Sequence, residues 1–152
     1  MTNTVIRVKA FGMLSVQELY ELLRLRVDVF VVEQRCIYPE LDGQDPVAEH
    51  LLARDGAGTL VGYARILPPG PDGMPHIGRV VVHPDHRGQG LASALMRKAI
   101  GRVAERYGSA RNAISAQAHL TGLYARLGYI ATSDVYDWDG IPHVDMVLSE
   151  AR

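Results

Sequence analysis

The chain has one cysteine, Cys36, among 152 residues. A lone cysteine forms no internal disulfide and cannot build a cysteine-based zinc site by itself. Lysine is scarce too: Lys9 and Lys98 are the only two, against fourteen arginines. There is no surplus of either charge, since 16 Lys+Arg face 17 Asp+Glu for a net charge of -1. Nucleic-acid binding calls for a basic surplus or stripe, and neither is present. No run approaches the roughly 20 apolar residues of a membrane helix. Met1 to Phe11 is too short and too alternating for a signal peptide. The expectation is a soluble cytoplasmic protein with no nucleic-acid and no membrane partner, as monomer or homodimer.

What is present is ordinary globular material, 47% hydrophobic and 22% charged. That composition and length suit a single domain over residues 1–152. Val5 to Ala10 alternates apolar and basic residues and reads as a strand. Ser15-Val16-Gln17-Glu18 is a capping box. Val16, Leu19, Leu22, Leu23 and Val27 follow it at helical spacing, which predicts an amphipathic helix ending near Phe30. Glu33 to Pro46 has no period and reads as a short helical piece and an ordered loop. Leu51–Arg54 and Leu60–Leu67 flank the Asp55-Gly56-Ala57-Gly58 turn as a hairpin. Ile77–Val82 is a β-branched strand, and residues 76, 78, 80 and 82 are expected on one face of it. Leu91–Tyr107 is the clearest helix. Ala113–Ala118 is a strand and His119–Leu127 a short helix that Gly128 stops. Tyr129–Val135 and Val144–Leu148 are expected as terminal strands. The order describes one α/β or α+β domain with a mixed sheet.

The densest chemical signal runs from Val80 to Ala92. A β-branched strand ends at His83-Pro84, a turn carries Arg87, Gly88, Gln89 and Gly90, and a long helix follows. Gly88 and Gly90 let backbone N–H groups point into a tight concavity, and the helix adds its free N–H groups and dipole. Such a turn holds a phosphate or pyrophosphate, with Arg87 adding charge-assisted bonds at its rim. The triphosphate P-loop is excluded because no Lys-Ser or Lys-Thr follows. The dinucleotide fingerprint is excluded because Ser93 stands where its third glycine belongs.

Arg87-Gly88-Gln89-Gly90-Leu91-Ala92, with its Val-His-Pro lead-in, resembles the Arg/Gln-x-x-Gly-x-Gly/Ala motif of the GCN5-related N-acetyltransferase (GNAT) superfamily. Phe30 to Asp45 is similar to the ElaA-like subfamily. The resemblance implies the acyl-CoA N-acyltransferase fold: a mixed, mostly antiparallel sheet with a splayed parallel central pair, flanked by helices. It also implies that acetyl-CoA is the co-substrate and CoA the product. Its pyrophosphate would sit on N–H groups of Gln89 to Ala92, within Arg87, Gly88, Gln89, Gly90, Leu91 and Ala92. Its pantetheine arm would follow Val80, Val81 and Val82. The acceptor would be an amine of a small molecule or peptide. A non-catalytic acyl-CoA-binding or interaction module on the same fold is the alternative, and a structural protein whose turn binds nothing is a third.

Leu123-Tyr124-Ala125-Arg126-Leu127-Gly128 resembles the family segment whose tyrosine lies near the CoA sulfur and acts as general acid. Gln117-Ala118-His119-Leu120 replaces the asparagine-led segment that often precedes it. Three candidates stand for the base. His76 matches the position where many relatives carry a glutamate, Glu33 lies beyond the first helix, and an ordered water is the third. Cys36 as an acyl carrier lacks a base at any distinctive spacing. Asp42, Asp45 and His50 are close in sequence, but Pro46 interrupts them and no metal is expected. Glu33, Glu40, Asp42 and Asp45 are instead expected to line a cleft that attracts a cationic amine.

Overall fold

In the computed structural model, which describes residues 3–149, the Ser15 hydroxyl accepts the Glu18 N–H and the Glu18 carboxylate accepts the Ser15 N–H. That capping box starts helix α1, Val16–Arg26. The chain then continues as a π-helix over Val27–Glu33, not as α-helix to Phe30. The run Val27-Asp28-Val29-Phe30-Val31-Val32 is rich in β-branched side chains, which crowd the i, i+4 spacing of an α-helix.

The strands are β1 (Val5–Ala10), β2 (Glu49–Arg54), β3 (Leu60–Leu67), β4 (His76–Val82), β5 (Asn112–Gln117), β6 (Ile130–Ala131), β7 (Tyr136–Trp138) and β8 (Ile141–Leu148). They form one mixed sheet in the order β1-β2-β3-β4-β5-β8-β6, with β7 also on β8. Every pairing is antiparallel except β4 with β5. The strand expected over Tyr129–Val135 shrinks to Ile130–Ala131. Beyond it the chain turns on side-chain bonds, with the Ser133 hydroxyl accepting the Asp145 N–H.

Helix α2, Leu91–Tyr107, lies on one face with Leu95, Met96, Ala99 and Val103 buried against Ala64, Ile66 and Ile77. Its first turn presses on β3: a Cβ at Gly62 would stand 3.1 Å from both Leu91 and Leu95. Helix α3, Thr121–Arg126, contributes Tyr124 to the same layer. Helix α1 and the π-helix cover the opposite face with Leu22, Leu25, Val29 and Phe30 on Leu52, Tyr63 and Val81. Burial on both faces explains the nearly unbroken apolar run of β3.

Strand β4 is bulged. Tyr63 pairs with Val81, while Arg65 pairs with Gly78, so one extra β4 residue is fitted between the two pairs. Arg79 takes it up with φ of 53°. A bulge switches the inside–outside alternation beyond it. The expected common face of 76, 78, 80 and 82 is therefore split: Val80 and Val82 join Ile77 under α2, and Val81 joins Tyr63 under α1. The alternation rule assumed an unbroken ladder, which this strand does not have.

Candidate active site

The parallel pair β4–β5 is matched at one position only, His76 with Ala113. Beyond that point the two strands part, and a cavity of about 640 Å³ opens there, bounded by β4, β5, the segment after the π-helix and the β7–β8 hairpin. Three non-glycine residues with left-handed backbone border it. Arg79 and Asp139 line it, and Arg35 sits between the lining residues Gln34 and Cys36. Strained backbone of this kind persists where the surroundings hold it in place.

At the end of β4 a short 3₁₀ turn over Pro84–His86 leads into Arg87-Gly88-Gln89-Gly90. Gly88 and Gly90 both have φ of 79°, and open space lies where their Cβ atoms would be. The glycines are thus required by backbone conformation and not by crowding from the protein. Gly90 is the N-cap of α2 and has no side chain to cover the first-turn N–H groups of Leu91 and Ala92. A second, smaller recess of about 150 Å³ touches Gln89, Gly90 and Leu91.

Arg87 does not stand free at the rim. Its Nη1 and Nη2 donate to Glu33 Oε2 and Oε1 at 2.6 and 2.8 Å, and its Nε donates to the Val82 carbonyl. Glu33 accordingly lies beside this turn and is not on the cavity wall. The Arg87 hydrogen bonds hold its carboxyl below the usual carboxylate range. A carboxylate so stabilised in its charged form is a poor proton acceptor.

Tyr124 is on the cavity wall and 7% exposed. Burial raises its pKa, so the phenol stays protonated. Its ring meets Tyr129 edge-on, and its hydroxyl has no hydrogen-bond partner among the described residues. Tyr129 is the contrasting case, since its hydroxyl is tied to Asn112. His76 also lines the cavity, and its Nε2 lies 2.7 Å from Asp72 Oδ2. Asp72 is held below the normal range by the Met74 N–H and then by His76. With Nε2–H donating to that carboxylate, Nδ1 is the ring's acceptor. Asp72 was hidden in the turn-rich connector, where it reads as an ordinary turn former. Val80 lines the cavity, whereas the Val81 side chain is buried under α1.

The acidic cleft expected from Glu33, Glu40, Asp42 and Asp45 is absent because arginines neutralise each acid. Arg26 is fully buried, with Nε on Glu40 at 2.7 Å and Nη1 on Asp45 at 2.8 Å. Arg65 places Nη1 and Nη2 on the two Asp42 oxygens and Nη1 on Asp45 as well. Arg79 Nε reaches Glu40 at 2.8 Å. Burial alone would raise Asp42, but the Arg65 hydrogen bonds outweigh it and hold it at about 2. Arg65 was legible as the one charge inside an apolar strand, but its partners were not. His50, grouped above with Asp42 and Asp45, is bound to the Tyr63 hydroxyl and the Asp45 carbonyl.

Cys36 borders the cavity, with its thiol directed at the Asp139 carbonyl at 3.2 Å. Burial, with Asp139 and Asp137 nearby, pushes the thiol up and away from the nucleophilic thiolate. No helix among the described residues is long and apolar enough to cross a membrane.

A family model described as an acetyltransferase (GNAT) domain matches residues 22–150. A UPF0039 protein of Schizosaccharomyces pombe is 42% identical over 149 residues, covering 97% of this chain and 99% of the relative. The crystal structure of an acyl-CoA N-acyltransferase from Pseudomonas aeruginosa superposes with a TM-score of 0.91 at 41% identity, covering 97% of this chain and 100% of the other. That of Escherichia coli ElaA gives 0.87 at 37% identity, with 97% and 99% covered.

Proposed function

The chain belongs to the GNAT superfamily, in its ElaA- and UPF0039-like group, and on that premise we propose that it transfers the acetyl group of acetyl-CoA to a primary amine of a small molecule or peptide by direct attack on the thioester. The observation that carries this reading is the opening between β4 and β5, with an unengaged, protonated Tyr124 hydroxyl on its wall.

The residues fit CoA. The Gly88–Gly90 turn and the uncapped N–H groups of Leu91 and Ala92 suit a pyrophosphate. The backbone of Val80 and Val82, beyond the last position matched with β5, suits the amide arm. Bound acetyl-CoA supplies an activated acyl group, so that a C–N bond forms at the carbonyl carbon while the C–S bond breaks.

The chain's residues supply the proton transfers. An amine attacks only when neutral, and His76 Nδ1 takes the proton it loses, with Asp72 holding the ring through Nε2. Tyr124 Oη donates its proton to the departing sulfur and is restored from solvent. Glu33 has no role as base in this scheme. The test is release of CoA thiol with a panel of primary amines, for the parent, His76→Gln and Asp72→Asn. Turnover in the parent, lost about a hundredfold in His76→Gln and less in Asp72→Asn, supports the scheme. Tight CoA binding with no turnover on any amine would favour the non-catalytic binding module.

A further inference from the structure

The bulge in β4 brings Arg79 to the α1 side of the sheet, which Arg65 and His76 already share through their neighbours on β3 and β4. There the three carboxylates Glu40, Asp42 and Asp45 meet the three guanidiniums Arg26, Arg65 and Arg79. Five of the six carboxylate oxygens are engaged. Glu40 Oε1 takes the Tyr38 hydroxyl, and Oε2 takes Arg26 and Arg79. Asp42 Oδ1 takes Arg65 and the Gln44 N–H, and Oδ2 takes Arg65 again. Asp45 Oδ1 takes Arg26 and Arg65.

Donors are left over. Arg65 Nε is buried without a partner, on a side chain only 4% exposed. Arg79 Nη1 has no partner among the described residues, while Arg79 Nε is fixed on Glu40 and its guanidinium stands over the Tyr38 ring. Both arginines line the cavity. Matched formal charges leave this cluster no net negative field, and on the cavity wall, where the Asp42 oxygens are engaged, its unmet need is for hydrogen-bond acceptors. An anionic oxygen meets it best, since a guanidinium binds a carboxylate with charge-assisted bonds.

The rest of the lining adds two features. Asp139 faces the cavity from the β7–β8 turn with no cationic partner among the described residues. Phe30, Tyr38 and Trp138 give the wall an apolar, aromatic part, and Trp138 is 47% exposed with its ring 5.3 Å from that of His143. One free carboxylate, two guanidiniums with unused donors and an aromatic wall are complementary to a zwitterion with an apolar side group.

We propose that the acceptor is an amino-acid-like amine: a primary amine and a carboxylate on one small apolar or aromatic framework, with the carboxylate held by Arg79. This rests on the acetyl-transfer reading above and replaces the cationic amine expected from the acidic segment.

The experiment measures binding of two product-like ligands to the protein saturated with CoA, by calorimetry. N-acetyl-L-phenylalanine carries the carboxylate, and N-acetylphenethylamine is the same framework without it. The parent should bind the carboxylate ligand about tenfold or more tightly. In Arg79→Gln that ratio should fall to about twofold or less, while CoA affinity changes little. Because Arg79→Gln leaves Glu40 one cation short, Arg79→Lys is measured beside it, and each variant is checked for a cooperative melt. Arg79→Lys keeps the charge but not the fork, so part of the preference should survive. Equal affinity for the two ligands, or affinity for neither, with CoA still bound overturns the acceptor assignment and leaves the cofactor reading intact. A preference undiminished in folded Arg79→Gln removes Arg79 as its source. Failure to bind CoA at all overturns both readings.

Discussion

Arg87 holds both carboxylate oxygens of Glu33, across 54 positions of sequence, at 2.6 and 2.8 Å. The pair ties the end of the π-helix to the turn that opens α2. It makes Glu33 a poor proton acceptor, since its charge is committed to an arginine at the Gly88–Gly90 turn. Both side chains are more than 40% exposed, so the pair is a modest contributor to stability.

Glu33→Gln should therefore leave kcat within about twofold and tighten CoA binding by about two- to threefold, since it removes a negative charge beside the Gly88–Gly90 turn, proposed to hold the pyrophosphate, and frees Arg87. Calorimetry with CoA at low and high salt, alongside steady-state rates, checks this. The gain in affinity should shrink at high salt. A hundredfold loss of kcat would return Glu33 to the role of base.

Tyr124 makes no hydrogen bond through its hydroxyl among the described residues, so Tyr124→Phe should cost almost no stability, within about 0.5 kcal/mol by urea unfolding. Turnover should nevertheless fall about a hundredfold with CoA affinity within about threefold. Stability and rate then separate, which a purely structural tyrosine would not allow. Turnover equal to the parent would remove Tyr124 as the acid.

Gly90 and Gly108 bracket α2 with the same φ of 79° and the same open space at the absent Cβ. Alanine at either position should cost about 1–2 kcal/mol through left-handed backbone strain alone. Only Gly90→Ala should also weaken CoA, by about tenfold or more, because on the proposed reading it perturbs the N–H groups that would hold the pyrophosphate. Melting curves and CoA titrations of the two variants make the comparison. Equal CoA affinity in both would dissociate the turn from phosphate binding.

Asp42 is held at about 2 in the folded protein against an ordinary 3.8, so its ion pair stabilises the fold fully above about pH 4 and is lost as pH falls toward 2. Asp45, which burial would raise but which Arg26 and Arg65 pull down, acts in the same direction. The urea midpoint should decline gently from pH 6, because burial lowers the His50 pKa and unfolding frees that ring to take a proton, and then drop steeply below about 4.5. In Asp42→Asn the drop should be shallower, because the group that must be protonated is gone. An unchanged slope in that variant would place the acid sensitivity elsewhere.

Local chemistry determined what the sequence alone could show. The Ser15–Glu18 capping box, the bounds of α2 at Leu91 and Tyr107 and the strand–turn–helix around Gly88 and Gly90 depend on residues a few positions apart, and they were legible in order. The same holds for β1 and β3, whose bounds follow from alternation and from a largely apolar run after the Asp55–Gly58 turn. Where neighbours far apart decide, the reading failed. The bulge at Arg79 exists only as a mismatch between two paired strands, so it broke the expected common face of His76, Gly78, Val80 and Val82. The acids from Glu33 to Asp45 read as an open anionic stretch because their partners Arg26, Arg65, Arg79 and Arg87 come from four other elements. A charge's sign is written in the sequence. Whether it is free to act on a ligand depends on which opposite charge the fold brings within 3 Å of it, and only the tertiary structure decided that.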